Sequence, residues 1–140
     1  MKPNESFADV CVETAAQAAA LFCNAIKIVG EQEGFFVLPL DGGGKVLAEP
    51  IMVSLGYREG VAAVDQKEVF KAAFKVGADA IIVAHNHASG VLKPSKTDLH
   101  LTKELKSRAE WLGLGFIDHI VLGLPDSANG LDFISLAEIV

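Results

Sequence analysis

The sequence "DAIIVAHNHASGVLKPSKTDLHLTKEL", residues 79–105, decides the fold because it changes from an apolar run to a polar loop and then to spaced leucines. A short, almost wholly apolar run is typical of a strand buried on both faces of a sheet. Ser95 and Asp98 match the Ser/Thr-x-x-Asp/Glu pattern of a capping box, which predicts that a helix begins here. Leu101 and Leu105 would form the inner stripe of that helix. The segment therefore predicts a strand, a loop and an amphipathic helix in succession.

Helix and strand patterns alternate along the rest of the chain, which predicts the α/β class. A single layered domain is expected, with a mixed β-sheet flanked by helices. Residues 1–29 are assigned to an N-terminal helix of this domain and residues 30–140 to its main body. The individual patterns are a helix at 10–28 that ends at Gly30, a strand hairpin with a glycine turn at 34–54, a helix at 64–76 with Val69, Phe70, Ala73 and Phe74 on its inner face, and strands at 115–123 and 132–139.

The composition describes a globular chain with an acidic balance. Of its 140 residues, 51% are hydrophobic, and 18 acidic side chains outnumber 12 lysines and arginines. The net charge of −6 argues against a broad nucleic-acid surface, which usually carries a basic face. The chain starts without an apolar leader, no apolar run approaches the about 20 residues of a membrane span, and Cys11 and Cys23 are too far apart for a redox pair. We therefore expect a cytoplasmic protein with no membrane partner.

Two histidines, two residues apart, follow the predicted buried strand. Side chains at i and i+2 of an extended segment lie on the same face, so His85 and His87 can point at one spot while Asn86 points away. The pair lies at the carboxyl end of its strand, where open α/β sheets place functional groups. A catalytic zinc ion needs a third protein ligand and an open position, and Asp98 is the nearest carboxylate downstream. The histidines by themselves fit a metal site and a structural role equally well.

Other polar residues near this pair also have a structural interpretation. Ser95 and Asp98, considered alone, are typical of a helix cap in which the carboxylate complements the helix dipole. His119 or Asp118 could orient a ligand histidine, but a lone histidine in a strand more often has a structural role. His100 falls on the polar side of its helix and is expected to face solvent.

Taken together, the four positions have the spacing His-x-His-x7-Ser-x2-Asp, and with it the chain resembles the JAB/MPN metalloproteases, which carry this JAMM motif. It is most similar to the RadC branch, whose pattern HNHPSG…PS..D…T..L appears here as "HNHASGVLKPSKTDLHLTKEL". The similarity continues through "EGFFVLPLDGGGKVLAE", "KEVFKAAFKVGADAIIVAHNH" and "LGLGFIDHIVLG". It implies that residues 30–140 form a JAB/MPN-type domain, whose curved mixed sheet has a cytidine-deaminase-like architecture.

The resemblance also implies a role for individual residues. His85, His87 and Asp98 would bind Zn²⁺ with water in the fourth position, and Ser95 would help to stabilise the oxyanion of a tetrahedral intermediate. Glu33, directly before a predicted strand, would be the general base. The implied protein is a zinc metallopeptidase or isopeptidase-like hydrolase, in which this glutamate activates the zinc-bound water for attack on a peptide or protein substrate.

The chain departs from the RadC pattern in two respects. Ala88 stands where RadC-like chains usually have proline, which predicts a looser loop after the histidines. Residues 1–29 are too short and alanine-rich for the helix-hairpin-helix segment that longer RadC proteins carry and that is associated with DNA. The resemblance therefore supports a role in DNA repair only weakly. Glu31 is a rival to Glu33 as the base.

Other functional classes follow from the same residues. The alternative function is a DNA-repair-associated or non-catalytic interaction module with a retained metal site. The sequence is also compatible with a homo-oligomer. The letters His85-Asn86-His87 do not make an HNH nuclease, because that family draws these residues from positions spread over a ββα element. A zinc nucleobase deaminase is excluded because it needs His-x-Glu with Pro-Cys-x-x-Cys.

Overall fold

The protein is described by a computed structural model at residues 10–29, 32–56, 64–123 and 132–137. These residues form four helices and one sheet of five strands. The helices are α1 (Ala15–Leu21), α2 (Cys23–Val29), α3 (Gln66–Lys75) and α4 (Lys96–Trp111). The strands are β1 (Gly34–Leu40), β2 (Ile51–Leu55), β3 (Ala80–Asn86), β4 (Gly115–Leu122) and β5 (Phe133–Ser135).

The sheet is mixed, as the sequence predicts. Its strand order is β2-β1-β3-β4-β5, in which β3 and β4 pair in parallel and the other neighbours are antiparallel. Every residue of β1 and β3 is buried. The apolar run before His85 is therefore the central strand. The histidine pair lies at the carboxyl end of this strand, midway across the sheet.

Helices cover both faces of the sheet. Because side chains alternate along a strand, β1 contributes Phe36 and Leu38 to one core and Phe35 and Val37 to the other. The first core lies under α1 and α2 and includes Ala18, Ala19, Phe22, Ile26, Ile82, Ile120 and Leu122. The second lies under α3 and α4 and includes Val69, Phe70, Ala73, Ile81, Val83, Leu101, Leu105 and Ala109. The result is a layered α/β/α arrangement.

The predicted N-terminal helix over residues 10–28 is wrong in its start and its continuity. A capping box between Thr14 and Gln17 begins α1 at Ala15, and Phe22 separates α1 from α2. The preceding residues are extended instead, since Val12 N donates to Gly44 O at 2.9 Å and Val46 N donates to Val10 O at 2.9 Å. Backbone hydrogen bonds to the glycine turn therefore outweigh the helical spacing of these residues.

The predicted hairpin and the helix after it are confirmed with two differences. The paired strands β1 and β2 are joined by ten residues rather than by a tight turn. Within this connection the glycine turn is closed by a separate bridge between Leu40 and Val46. Gly44 has φ of +86°, which explains the need for glycine there. Phe74 was expected inside but is 47% exposed, because it lies in the last turn of α3 beside a surface groove that Met52 and Leu112 also line.

Candidate metal site

The two histidines meet where β3 leaves the sheet. His85 lies near the end of β3 and His87 follows it directly, and their Nε2 atoms are 3.1 Å apart. Both side chains are buried on the side of the sheet that faces α4. Phe35 stacks on the His85 ring with the centroids 6.0 Å apart. The prediction that alternate residues aim both imidazoles at one spot agrees with this geometry.

Asp98 reaches the histidines from the first turn of α4. Its Oδ1 lies 3.2 Å from His85 Nε2, and its Oδ2 lies 3.3 Å from His87 Nε2. The capping box is also present: Ser95 N donates to Asp98 Oδ2 at 2.8 Å, and Asp98 N donates to Ser95 Oγ at 3.0 Å. The helix cap and the cluster with the histidines are therefore one arrangement, in which the cap holds the carboxylate towards both rings.

The three side chains fit a tetrahedral metal ion. Each offers a ligand atom, and these atoms lie within 4.8 Å of one another in a buried group. Around a tetrahedral ion with ligands at about 2.0–2.1 Å, neighbouring ligand atoms are about 3.3 Å apart. The two Nε2 atoms are 3.1 Å apart, and Asp98 places Oδ1 3.2 Å from His85 Nε2 and Oδ2 3.3 Å from His87 Nε2, so each contact is of the size that such a site requires. His85, His87 and Asp98 could thus hold a metal ion.

Asp98 is an anion in this setting. Burial raises the pKa of its carboxyl, but hydrogen bonds to His85 and His87, the charge of His85 and the Ser95 amide together lower it more. The net effect holds the pKa of Asp98 well below its ordinary value. An ionised carboxylate is the form that a cation requires.

His119 lies directly behind the cluster. Its Nε2 is 2.8 Å from His85 Nδ1, and its Nδ1 is 2.6 Å from Thr102 Oγ1, which in turn donates to Asp98 O at 2.8 Å. Burial disfavours the charged ring and is the main cause that lowers the pKa of His119, with the neighbouring charge of His85 adding to it. The ring of His119 therefore contacts a candidate ligand, which is the arrangement that the alternative role, orientation of a ligand histidine, requires.

Asp118 has the structural role instead. Its carboxylate accepts hydrogen bonds from His119 N at 2.7 Å, Ser135 Oγ at 2.6 Å and Ala137 N at 3.0 Å. These bonds join β4 to β5 and the chain that follows it. His100 faces solvent as predicted, beside Glu104 at 3.4 Å.

Glu33 lies at the rim of the cluster, immediately before β1. Its Oε2 accepts a hydrogen bond from Ala88 N at 3.2 Å, so the carboxylate is held beside the residue that follows His87. The chain around Glu33 is fixed by Asn86, whose Oδ1 accepts from Gly34 N at 2.7 Å and whose Nδ2 donates to the carbonyl of residue 32 at 2.9 Å. Glu31, the rival base, lies outside the described residues.

Three residues near the cluster have contacts that the sequence did not predict. Asn86 points away from the histidines, as predicted, and its carboxamide links the end of β3 to the start of β1. Thr102 was not singled out, although its position four residues after Asp98 on a helix predicts that both share one face. Ala88 is not merely a looser substitute for proline, because proline would lack the N–H that reaches Glu33.

The fold and this cluster define a class: an α/β domain with a buried His-His-Asp group at the end of its central strand. The sequence matches the family described as the RadC-like JAB domain over residues 12–138, so the chain belongs to the RadC-like JAB family. The mixed five-stranded sheet with flanking helices is consistent with the JAB/MPN fold. Within the described segments, no helix is both long and apolar enough to cross a membrane.

Curated relatives share this similarity. A UPF0758 protein of Finegoldia magna is 36% identical over 111 residues, which is 79% of this chain and 48% of the relative. One from Acaryochloris marina is 39% identical over 130 residues, or 93% of this chain and 48% of the relative. One from Actinobacillus pleuropneumoniae is 41% identical over 108 residues, or 76% of this chain and 48% of the relative. The chain therefore spans about half the length of the relatives it matches.

Proposed function

We propose that the protein is a zinc-dependent hydrolase that cleaves peptide or isopeptide bonds in the cytoplasm. The observation that carries the proposal is the buried cluster of His85, His87 and Asp98, in which the two Nε2 atoms are 3.1 Å apart and each faces one oxygen of the carboxylate at 3.2 or 3.3 Å. Two imidazoles and one carboxylate form a ligand set typical of catalytic zinc, which keeps a fourth position for water or substrate. Zinc bound there would supply Lewis acidity and lower the pKa of a water molecule.

Glu33 is the general base in this proposal. Its carboxylate is half-buried and held at Oε2 by the Ala88 amide, which leaves Oε1 to accept a proton from the attacking water. The same carboxyl then delivers that proton to the leaving amine. The fixed backbone on both sides of Glu33 limits how far the carboxylate can move from His87 during these transfers.

Ser95 stabilises the oxyanion. Its Oγ accepts the Asp98 amide proton at 3.0 Å, so its own O–H is the group that donates to a developing negative charge. The capping box fixes this hydroxyl beside the ligand carboxylate before substrate arrives. Such preorganisation lowers the cost of reorganising the site during the reaction.

The first test is metal content. Protein purified without chelators or metal-affinity steps is expected to contain about one zinc per chain by elemental analysis, and His85→Ala and Asp98→Ala are expected to lose it. His100→Ala, which removes an exposed histidine, is the matched control. A metal-free unmodified protein that also takes up no added zinc would refute the proposal.

The second test is hydrolysis. Glu33→Gln is expected to retain zinc and the fold while losing cleavage of fluorogenic peptide and isopeptide substrates. If the unmodified protein binds zinc but cleaves none of them, or if Glu33→Gln cleaves equally well, the role of Glu33 is wrong. The alternative, an interaction module with a retained metal site, would then gain support.

A further inference from the structure

A chain of buried hydrogen bonds leads from the backbone of α4 to His85. Thr102 Oγ1 lies 2.8 Å from Asp98 O and 2.6 Å from His119 Nδ1, and His119 Nε2 lies 2.8 Å from His85 Nδ1. Thr102 and His119 are 1% and 0% exposed, so water does not compete for these bonds. The chain ends on the imidazole whose other nitrogen, Nε2, faces Asp98.

The direction of the protons along this chain follows from one carbonyl. The Asp98 carbonyl oxygen can only accept, so the single hydroxyl proton of Thr102 is donated to it. Thr102 Oγ1 must then accept from His119 Nδ1–H. Because His119 is fully buried, its neutral ring is favoured, and a neutral ring protonated at Nδ1 carries its lone pair on Nε2.

The same logic continues to His85. The lone pair on His119 Nε2 accepts from His85 Nδ1–H, so when a metal ion replaces the proton that His85 Nε2 directs at the Asp98 carboxylate, the lone pair of His85 lies on Nε2, towards that ion. His87 reaches the same tautomer by a shorter route, since its Nδ1 lies 2.7 Å from the carbonyl oxygen of Val91. Both imidazoles therefore present Nε2 lone pairs to the same spot, one set by a loop carbonyl and the other by the chain through Thr102.

We propose that Thr102 and His119 are positioning residues that fix His85 in the tautomer able to bind the metal. The inference rests on the proposed zinc site. The opposite direction of the chain, with the Thr102 hydroxyl donating to His119, would place a proton on His85 Nε2 and block that ligand atom. The Asp98 carbonyl oxygen favours the first direction because it accepts the Thr102 hydroxyl proton, and the Asp98 carboxylate supplies the third ligand. One residue thus contributes to the site through both its side chain and its backbone.

Zinc affinity tests this inference without any assay of activity. Thr102→Val removes the hydroxyl at similar volume, and His119→Phe removes both ring nitrogens. Each is expected to weaken zinc binding by about 10- to 100-fold in competition with a chromophoric chelator, as is usual when a partner of a ligand histidine is lost. Thr102→Ser, which keeps the hydroxyl, is expected to restore the affinity. Thr97→Val, on the exposed side of the same helix, is the matched control.

The ring tautomer gives a second readout that a general loss of packing would not move. Long-range ¹H–¹⁵N spectra of the zinc-loaded protein are expected to show His85 protonated at Nδ1 and bound through Nε2, and Thr102→Val is expected to lower the share of His85 in this form. Should Thr102→Val not fold, Thr102→Ala takes its place. Unchanged affinity and an unchanged tautomer in these variants would overturn the inference while leaving the zinc site intact. No zinc binding by the unmodified protein would instead overturn the proposed function.

Discussion

The backbone amide of Ala88 lies 3.2 Å from Oε2 of Glu33, across a gap of 55 residues in the chain. This contact joins the loop after the candidate metal ligands to the residue proposed as the base. It exists because alanine, unlike the proline usual in the family pattern, has an N–H at this position. The chain therefore holds its glutamate by a bond that a proline at position 88 could not make.

Ala88→Pro tests the importance of this bond. The substitution removes the donor, and loss of a hydrogen bond worth about 1.4 kcal/mol in positioning the carboxylate corresponds to a rate about tenfold lower. We expect kcat for a fluorogenic peptide to fall by about that factor while zinc content stays the same. Ala88→Gly keeps the N–H and is the control. An Ala88→Pro protein with full activity would show that Glu33 is positioned by the other contacts.

Asn86→Ala is expected to destabilise the protein but to leave zinc binding intact. The carboxamide bonds to Gly34 N and to the carbonyl of residue 32, and the substitution leaves both backbone groups without this partner. We expect the free energy of unfolding to fall by roughly 2–4 kcal/mol in urea titrations. Asn24→Ala, at an exposed asparagine of α2, should change it little. Loss of zinc from folded Asn86→Ala would mean that this side chain also supports the metal site.

The contrast between Asn86 and its two neighbours shows how far the sequence can predict this site. The spacing of His85, His87 and Asp98 is local, so alternation along a strand and the start of a helix suffice to bring them together. The partner of Asn86 lies 52 residues earlier and depends on which strand pairs with β3. The contact of His119 with His85 likewise depends on the register of the parallel pair β3 and β4. Neither register can be read from periodicity.

The elements of the fold also differ in how well the sequence predicts them. The central strands and the two long helices carry clear apolar patterns, and the structure places them as expected. The start of the N-terminal helix could not be predicted from alanine content, because residues 10–13 find hydrogen-bond partners in the glycine turn around Gly44. Phe74 fits the helical stripe but is 47% exposed at a surface groove.

Added zinc is expected to stabilise the folded protein. A ligand that binds only the folded state at 1,000 times its dissociation constant raises the free energy of unfolding by about 4 kcal/mol. We expect the melting temperature of metal-stripped protein to rise with zinc and to respond much less to magnesium, because imidazole ligands do not suit that ion. His87→Ala should abolish the rise and His100→Ala should preserve it. An equal rise in His87→Ala would place the stabilising ion elsewhere.

Asp118→Ala separates a structural carboxylate from the adjacent candidate positioning residue. Asp118 accepts from His119 N, Ser135 Oγ and Ala137 N, so its removal leaves three donors without this acceptor and loosens β5. We expect a loss of roughly 3 kcal/mol in the free energy of unfolding, with zinc affinity of the folded protein nearly unchanged. His119→Phe should instead change zinc affinity more than the free energy of unfolding, since it removes the ring that contacts His85 and retains the backbone. If both substitutions weakened zinc binding equally, the ring of His119 would have no separate role, and the position of β4 alone would orient His85.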